Sequence, residues 1–369
     1  MINNDLEEKQ IHQDAVTVID EAETDDASTP NTYNISSYGA DYDVDGLVKR
    51  LRNGHVFIPP FQRAYVWTIK EASRLIESLL LGLPVPGIFL AKEGESNKLL
   101  VIDGQQRLKT LQYFYDEKFN PKQDDLNVRV FKLTNVQPQF EGKTYSDLEE
   151  KDKIRLNDTI IHATIIKQES PEDDDTSVYH VFERLNTGGR KLNPQEIRVA
   201  IYHGSFIVLL ETLNSHPSWR KIFGRTSNRL KDEELILRFF ALYYESERYE
   251  RPMSEFLSKF SRRHREPTIE QVKDFTEVFT STVDAICNSV GQHAFRPERA
   301  FNAAVFDAVM VGLAIRLSNE KPYVPADLKQ AYDSLLALPA FRTASSSATS
   351  FETNVSDRIK LASEAFSSI

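Results

Sequence analysis

The chain has 369 residues, of which 40% are apolar and 27% are charged, a balance typical of a globular protein with two domains or one large domain. Its single cysteine, Cys287, excludes an internal disulfide framework and a zinc site built from several cysteines. The formal charge of −10, from 45 basic and 55 acidic residues, would by itself argue against a nucleic-acid partner.

The negative charge is concentrated at the start of the chain. Residues 1–45 contain twelve acids and one base, so residues 46–369 carry a charge of +1. Residues 1–36 are acidic and rich in Asn, Thr, Ser and Ala, which predicts a mostly disordered leader. Within this leader, the run Val16–Ile19 could add a strand or dock on a partner. The overall charge therefore does not exclude a phosphate ligand for the rest of the chain.

No part of the sequence indicates export or a membrane span. The N-terminus lacks the basic and apolar regions of a signal peptide. The longest apolar run, Ala308–Ile315, falls far short of the ~18 residues that a span needs. We therefore expect a cytoplasmic protein without membrane contact.

The first half of the chain mixes helical and extended patterns. Apolar residues at helical spacing predict helices over 45–52 and 70–81, and another after Gly104. A further helix is expected to end near Leu185. Four strands are predicted, at residues 87–91, 98–102, 128–133 and 159–167.

The second half shows helical periodicity throughout. Its first helix has a strong start, because Asn193 is a good N-cap, Pro194 suits the first position and Glu196 can close a capping box. Later helices are predicted at about residues 233–244, 254–260, 269–288, 299–317, 326–336 and 350–366.

The first candidate motif is a predicted strand, a turn and a helix around residues 103–107. Gly104 lets a ligand approach the backbone, and the helix N-terminus presents free N–H groups to an anion. Arg107 could hold a phosphate there, while Asp103 could hold a metal ion or orient a water molecule. Gln105 and Gln106 supply neutral donors and acceptors. Spacing alone equally allows a capped turn with Arg107 in a surface ion pair.

The second motif is a proline-led extended segment that ends at Trp67. It combines Gln62 and Arg63 with the aromatic residues Phe61, Tyr65 and Trp67. Arginine with nearby aromatic rings can stack on bases and contact phosphates. The alternative is that the rings pack in the core while Arg63 pairs with an acid.

The third motif is a glycine pair, Gly188 and Gly189, flanked by bases. Such a loop can form a backbone nest for an anion. A plain helix C-cap explains the glycines equally well but not the flanking bases, which are Arg184, Arg190 and Lys191.

Two basic clusters in the second half could contact a nucleic-acid backbone, although solvated helix faces are the simpler interpretation. The clusters are Arg220, Lys221, Arg225, Arg229 and Lys231, and Lys259, Arg262, Arg263 and Arg265.

Taken in order, the three motifs resemble the domain-of-unknown-function family 262, the GmrS-like half of modification-dependent restriction systems of the GmrSD kind. The resemblance rests on the stretches IPPFQRAYVW, VIDGQQRLKTL and VFERLNTGGRKLNPQEIRVAIYHG. It covers roughly residues 40–205 and extends weakly to residues 301–314. The family is similar to ParB and sulfiredoxin, in which a Gly-x-x-Arg turn after a strand binds nucleotide phosphates.

The resemblance implies an α+β fold in three parts. A ParB/sulfiredoxin-like nucleotide-binding domain is expected at residues 37–205, after the leader at 1–36, and an all-α domain at 206–369. Carried over, the catalytic candidates are Asp103, Gln105, Gln106 and Arg107, with Asp103 also the metal ligand. The nucleotide-binding candidates are Arg63, Gly104, Arg107, Asn186, Gly188 and Gly189.

The resemblance also implies a function. We expect a subunit that binds a nucleoside triphosphate (NTP) and Mg²⁺, hydrolyses the nucleotide, and regulates a nuclease in defence against foreign DNA. The usual nuclease partner carries a histidine–metal motif, but no Asp-His pair occurs in this sequence. A separately encoded nuclease or effector is therefore expected.

Two alternatives remain open at this point. In the first, Gln62, Arg63, Tyr65 and Trp67 belong to a DNA-binding module that senses modified DNA, with little or no NTP hydrolysis. In the second, the chain is an interaction scaffold with a degenerate site.

Overall fold

The computed structural model describes residues 18–19, 34–58, 65–92, 98–121, 128–170, 181, 193–319, 322–367 and 369. These residues belong to two compact units. The α/β unit contains the described residues from 34 to 181 together with 199–201, and the helical unit contains 18–19, 193–198 and the described residues from 202 onwards. No described helix is long and apolar enough to cross a membrane.

The strands are β1 Val18–Ile19, β2 Asn34–Asp43, β3 Val56–Phe57, β4 Ile88–Lys92, β5 Leu99–Asp103, β6 Ile160–Ser170 and β7 Phe301–Asn302. The helices of the first half are α1 Val44–Arg52, α2 Ile69–Leu80, α3 Gln105–Tyr115 and α4 Glu150–Asp158. The next five are α5 Pro194–Ile201, α6 Ser205–Asn214, α7 Pro217–Phe223, α8 Lys231–Glu245 and α9 Met253–Arg263, with a short 3₁₀ helix at Ser246–Arg248. The last five are α10 Ile269–Ser289, α11 Ala303–Leu317, α12 Pro325–Ala337, α13 Pro339–Ser346 and α14 Glu352–Ser367.

The α/β unit is built on a mixed five-stranded sheet with the order β2-β6-β4-β5-β3. Strand β6 pairs antiparallel with β2 and parallel with β4, while β5 pairs antiparallel with β4 and parallel with β3. Leu90, Val101 and Ala163 from the sheet join one buried core with Ile76 of α2 and Leu111 of α3. This core fixes the end of β5 and the start of α3, where the first motif lies.

Helix α2 shows how the sequence dictates an element. Thr68 caps its start, and Glu71 completes a capping box by accepting from the Thr68 backbone N–H. The apolar positions at helical spacing are buried, and Gly82 follows the end of the helix with a φ of +72°. The helix predicted over 70–81 is thereby confirmed.

The helical unit is organised around α11, which is buried along most of its length. This helix packs against α8, α10 and α14. Its Asp307 is buried and bonds to two buried arginines, Arg238 at 2.6 Å and Arg358 at 3.2 Å. The two-residue strand β7 precedes α11 and pairs parallel with β1, so the Val16–Ile19 run does contribute a strand.

The structure confirms a mixed α/β first half and a helical second half, and the likeness to ParB and sulfiredoxin stays a prediction. The strand predicted over 128–133 is wrong, since Val130 makes only an isolated bridge with Lys118. Phe131 and Leu133 are instead buried in the core, which explains their apolar alternation. Strand β2 begins at Asn34, inside the leader predicted to end at residue 36. The helix predicted to end near Leu185 lies outside the described residues.

Candidate anion site at the end of strand β5

The first motif forms the predicted strand, turn and helix. Strand β5 ends at Asp103, Gly104 is the N-cap residue with a φ of +100°, and α3 begins at Gln105. A β-carbon on Gly104 would collide with Cγ2 of Ile88 in the neighbouring strand. Glycine is therefore needed for both the backbone conformation and the close packing, and it leaves the helix N-terminus without a side-chain cap.

Arg107 is held against this turn by two contacts. Its Nη2 lies 2.9 Å from Oδ2 of Asp103 and donates to the carbonyl oxygen of Gly87 at 3.0 Å. The Arg107 side chain is only 16% exposed, whereas that of Asp103 is 48% exposed. Among the described residues, the buried Nε of Arg107 has no hydrogen-bond partner. The guanidinium is thus oriented at the sheet edge, with one accessible carboxylate beside it.

Gln106 joins the first motif to the end of the second. Its Oε1 accepts from the backbone N–H groups of Val66 at 3.0 Å and of Trp67 at 3.3 Å. This amide oxygen therefore fixes the chain beside α3. Gln105 precedes Gln106 in the first helical turn and is half-buried.

Tyr65 lies in the core, as the alternative interpretation of the second motif predicts. Its hydroxyl is 2.7 Å from Oγ1 of Thr110, and its ring makes edge contacts with Tyr113 and Phe119. Burial raises the pKa of Tyr65 to about 12. Trp67 is half-buried and packs against the same core. Tyr65 is therefore committed to packing within the α/β unit.

Five predicted site residues lie outside the described residues, and their roles stay predictions. They are Gln62, Arg63, Asn186, Gly188 and Gly189.

Members of both basic clusters of the helical unit are paired with acids of the same unit. Arg220 lies 2.9 Å from the buried Asp232, and Arg229 lies 3.2 Å from Glu196. Arg263 forms an ion pair with Glu245. These contacts favour a structural role for the clusters.

Sequence reasoning missed one polar pair at the same edge of the sheet. Nδ1 of His162 in β6 lies 2.8 Å from Oδ1 of Asp41 in β2. The only signal would have been the pairing of these two strands, and β2 was not predicted.

Comparisons with known proteins agree with the resemblance in part. Residues 44–203 match the family model described as the GmrSD restriction endonuclease, N-terminal domain. An uncharacterized protein of Methanocaldococcus jannaschii is 26% identical over 243 residues, covering 45% of this chain and 42% of that protein. The chain thus spans less than half the length of this relative. The family match contains all three motifs and supports a GmrSD-type, restriction-system association, while the number 262 for the family stays a prediction.

Proposed function

We propose that this chain is the nucleotide-binding, NTP-hydrolysing regulatory subunit of a restriction-type defence system. One observation carries the proposal: Arg107 is oriented beside Asp103 at an uncapped helix N-terminus, inside the region that matches the GmrSD N-terminal domain. A helix N-terminus and an oriented guanidinium are the two groups that proteins use most readily for phosphates.

Each residue of the 103–107 motif would have its own role in phosphoryl transfer. Arg107 would exchange its contact with Asp103 for the β- and γ-phosphate oxygens, and the first-turn N–H groups of α3 would bind a second oxygen. Gln105, in that first turn, would position the attacking water. Gln106 would hold the chain at Val66 and Trp67 against the turn.

Asp103 suits a magnesium ion that is held jointly with phosphates. Magnesium is commonly bound by one or two carboxylates plus substrate oxygens, and the Asp103 carboxylate is half exposed. In the described part of the chain no group of three or more His, Cys, Asp or Glu side chains could hold a metal. Bound magnesium would neutralise charge on the phosphates.

The test is equilibrium binding and turnover of each NTP with Mg²⁺, for wild type and Arg107→Ala. Loss of a charged hydrogen bond costs about 1.5–3 kcal/mol, so we expect binding to weaken about ten- to a hundredfold. Arg74→Ala is the matched control, because Arg74 is exposed on α2 of the same unit. Absent NTP binding, or equal binding by wild type and Arg107→Ala, would contradict the proposal. Binding of duplex DNA in place of NTP would favour the DNA-binding alternative.

The separately encoded nuclease is the second part of the proposal. It rests on the absence of an Asp followed directly by His in the sequence and on the restriction-system association of residues 44–203. We expect a nuclease encoded beside this chain to co-purify with it and to change its DNA cleavage when NTP is added. Cleavage that is unaffected by the chain and by NTP would contradict this part.

A further inference from the structure

A cavity of about 690 Å³ lies in the helical unit. It is lined by residues from the start of α11, the end of α12, and α13 with the turn that follows it. Pockets for small molecules usually have volumes of about 300–1,000 Å³, so the cavity is large enough for an organic ligand. The nucleotide site proposed above belongs to the α/β unit, and this cavity has no part in it.

The first turn of α11 contributes to the lining through Ala304 and Val305, next to the N-cap residue Asn302. Oδ1 of Asn302 accepts from the Val305 N–H at 3.0 Å. The Ala304 N–H has no hydrogen-bond partner among the described residues, and the first turn contains no acidic residue. A helix N-terminus with a spare N–H group and an uncompensated dipole favours an anion.

Two buried hydroxyl groups line the same cavity. Thr349 is only 7% exposed, and its hydroxyl bonds to none of the described residues. Its carbonyl oxygen accepts from Arg358 at 2.5 Å, which fixes the backbone at this position. The buried Oγ of Ser345 also lacks a hydrogen-bond partner in the described part of the chain. Because a buried polar group without a partner costs stability, two of them on one cavity indicate a ligand that bonds there.

The remaining lining combines one cation with apolar side chains. Nε of Arg342 donates to the carbonyl oxygen of Leu336 at 2.8 Å, which orients the guanidinium. Its two Nη groups have no partner among the described residues. Leu336 and Phe341 supply apolar surface, and the exposed Glu298 is the one carboxylate among the described lining residues.

We propose that this cavity binds a small organic anion, with a carboxylate or phosphate group at the N-terminus of α11. The anion accepts from the Ala304 N–H and the Thr349 hydroxyl, and Arg342 supplies the opposite charge. The apolar body of the ligand packs against Leu336 and Phe341. This proposal does not depend on the proposed function, because it uses residues of the helical unit alone.

The experiment is isothermal titration of the full chain with three probes of one shape. Naphthyl phosphate and naphthoate carry the two anionic groups, and naphthylmethanol is the uncharged analogue. Since hydrogen bonds to charged groups are stronger than those to neutral ones, we expect at least one anion to bind about tenfold or more tightly than the alcohol. The comparison of phosphate with carboxylate then identifies the anion that the cavity prefers.

Single substitutions in the lining test the residues. Thr349→Val and Arg342→Gln should each weaken binding of the anion about tenfold or more. Glu298→Gln should not weaken it, because it removes a negative charge from the lining. Thr343→Val is the matched control, since Thr343 is exposed on α13 and its hydroxyl donates to the carbonyl oxygen of Pro339. It should bind the anion like wild type.

Two further measurements separate ligand binding from structural effects. Urea unfolding of Thr349→Val should show no loss of stability, because its hydroxyl has no protein partner to lose. Ala300→Trp should abolish binding, since Ala300 lines the cavity and a tryptophan ring there would fill it. Arg107→Ala should bind the naphthyl anions like wild type, which distinguishes this cavity from the nucleotide site.

Three outcomes would overturn the proposal. The first is no preference of wild type for either anion over naphthylmethanol. The second is equal anion affinity for wild type, Thr349→Val and Arg342→Gln, or binding that survives in Ala300→Trp. The third is loss of anion binding in Arg107→Ala, which would assign the probes to the nucleotide site and leave the proposed function standing.

Discussion

At the scale of single residues, Gly104 sets the position of the two charged groups of the candidate site. Asp103 precedes it in the strand and Arg107 follows it by one helical turn. Its φ of +100° lies in the left-handed region, and Ile88 leaves no room for a β-carbon. A side chain at residue 104 would therefore shift both Asp103 and Arg107.

We expect Gly104→Ala to lower the free energy of unfolding by about 2–6 kcal/mol, since backbone strain and overpacking each cost about 1–3 kcal/mol. Gly82→Ala is the matched control, because Gly82 has a φ of +72° but, in the described structure, no neighbouring atom within 4 Å of an added β-carbon. Its cost should be about 1 kcal/mol. Urea unfolding measures both variants, and NTP binding should weaken only for Gly104→Ala. Equal losses of stability would show that contact with Ile88 does not constrain the turn.

At the scale of elements, helix starts were the most predictable features because their signals are local. The side chain of Asn193 accepts from the backbone N–H of Glu196, and the Glu196 side chain accepts from that of Asn193, as their spacing predicted. Strand β2 was missed because its alternation, Tyr38, Ala40 and Tyr42, is short and only weakly apolar. Its partner β6 lies more than a hundred residues away, and pairing at that separation leaves no local pattern.

The contacts of the candidate site likewise fall into local ones, which the sequence predicts, and long-range ones, which it does not. The Asp103–Arg107 pair spans one helical turn, so the motif itself predicts it. The contact of Gln106 with Val66 joins residues 40 apart, and that of His162 with Asp41 joins residues 121 apart. Only the folded sheet and the packing of α3 bring these groups together.

Helix α8 buries an acidic first turn made of Asp232, Glu233 and Glu234. Burial raises the pKa of Glu233 from 4.5 to about 7, helped by the negative charges of Asp232 and Glu211 and opposed by the Asn214 amide. Since Asn214 also bonds to Asp232 at 3.0 Å, the two acids share one amide donor. Glu233 therefore stays protonated in the folded protein at mildly acidic pH.

We expect the free energy of unfolding to fall as pH rises from about 4.5 to about 7, because the folded state binds the Glu233 proton more tightly than the unfolded state does. The loss is at most about 3 kcal/mol, at 1.36 kcal/mol per pKa unit. Glu233→Gln mimics the protonated acid, so it should match wild type near pH 4.5 and exceed it at pH 8. Urea unfolding across this range checks the difference, with the exposed Glu270→Gln as control. A constant difference between wild type and Glu233→Gln would contradict the assignment.

At the scale of the whole molecule, the start of the chain carries most of the negative charge. Residues 1–33 contain nine acids and one base, a charge of −8, so the remaining chain carries −2. Strand β2 begins directly afterwards at Asn34 and supplies Asp41, so it belongs with the sheet rather than with the leader. Val18 and Ile19 pair with Phe301 and Asn302 of the helical unit. The acidic segment is thus attached to the folded protein by backbone pairing.

Deleting residues 1–33 should raise NTP affinity at low salt, because it removes eight net negative charges that repel a polyanion. The gain should vanish at high salt, since the screening length is about 10 Å at 0.1 M and about 3 Å at 1 M. A full-length variant with the nine acids changed to Asn or Gln separates charge from bulk and should reproduce the gain. Isothermal titration at both salt concentrations measures the effect. Unchanged affinity in both variants would mean that the leader's charge does not act on the nucleotide site, whereas a gain limited to the deletion would assign the effect to steric cover by the segment.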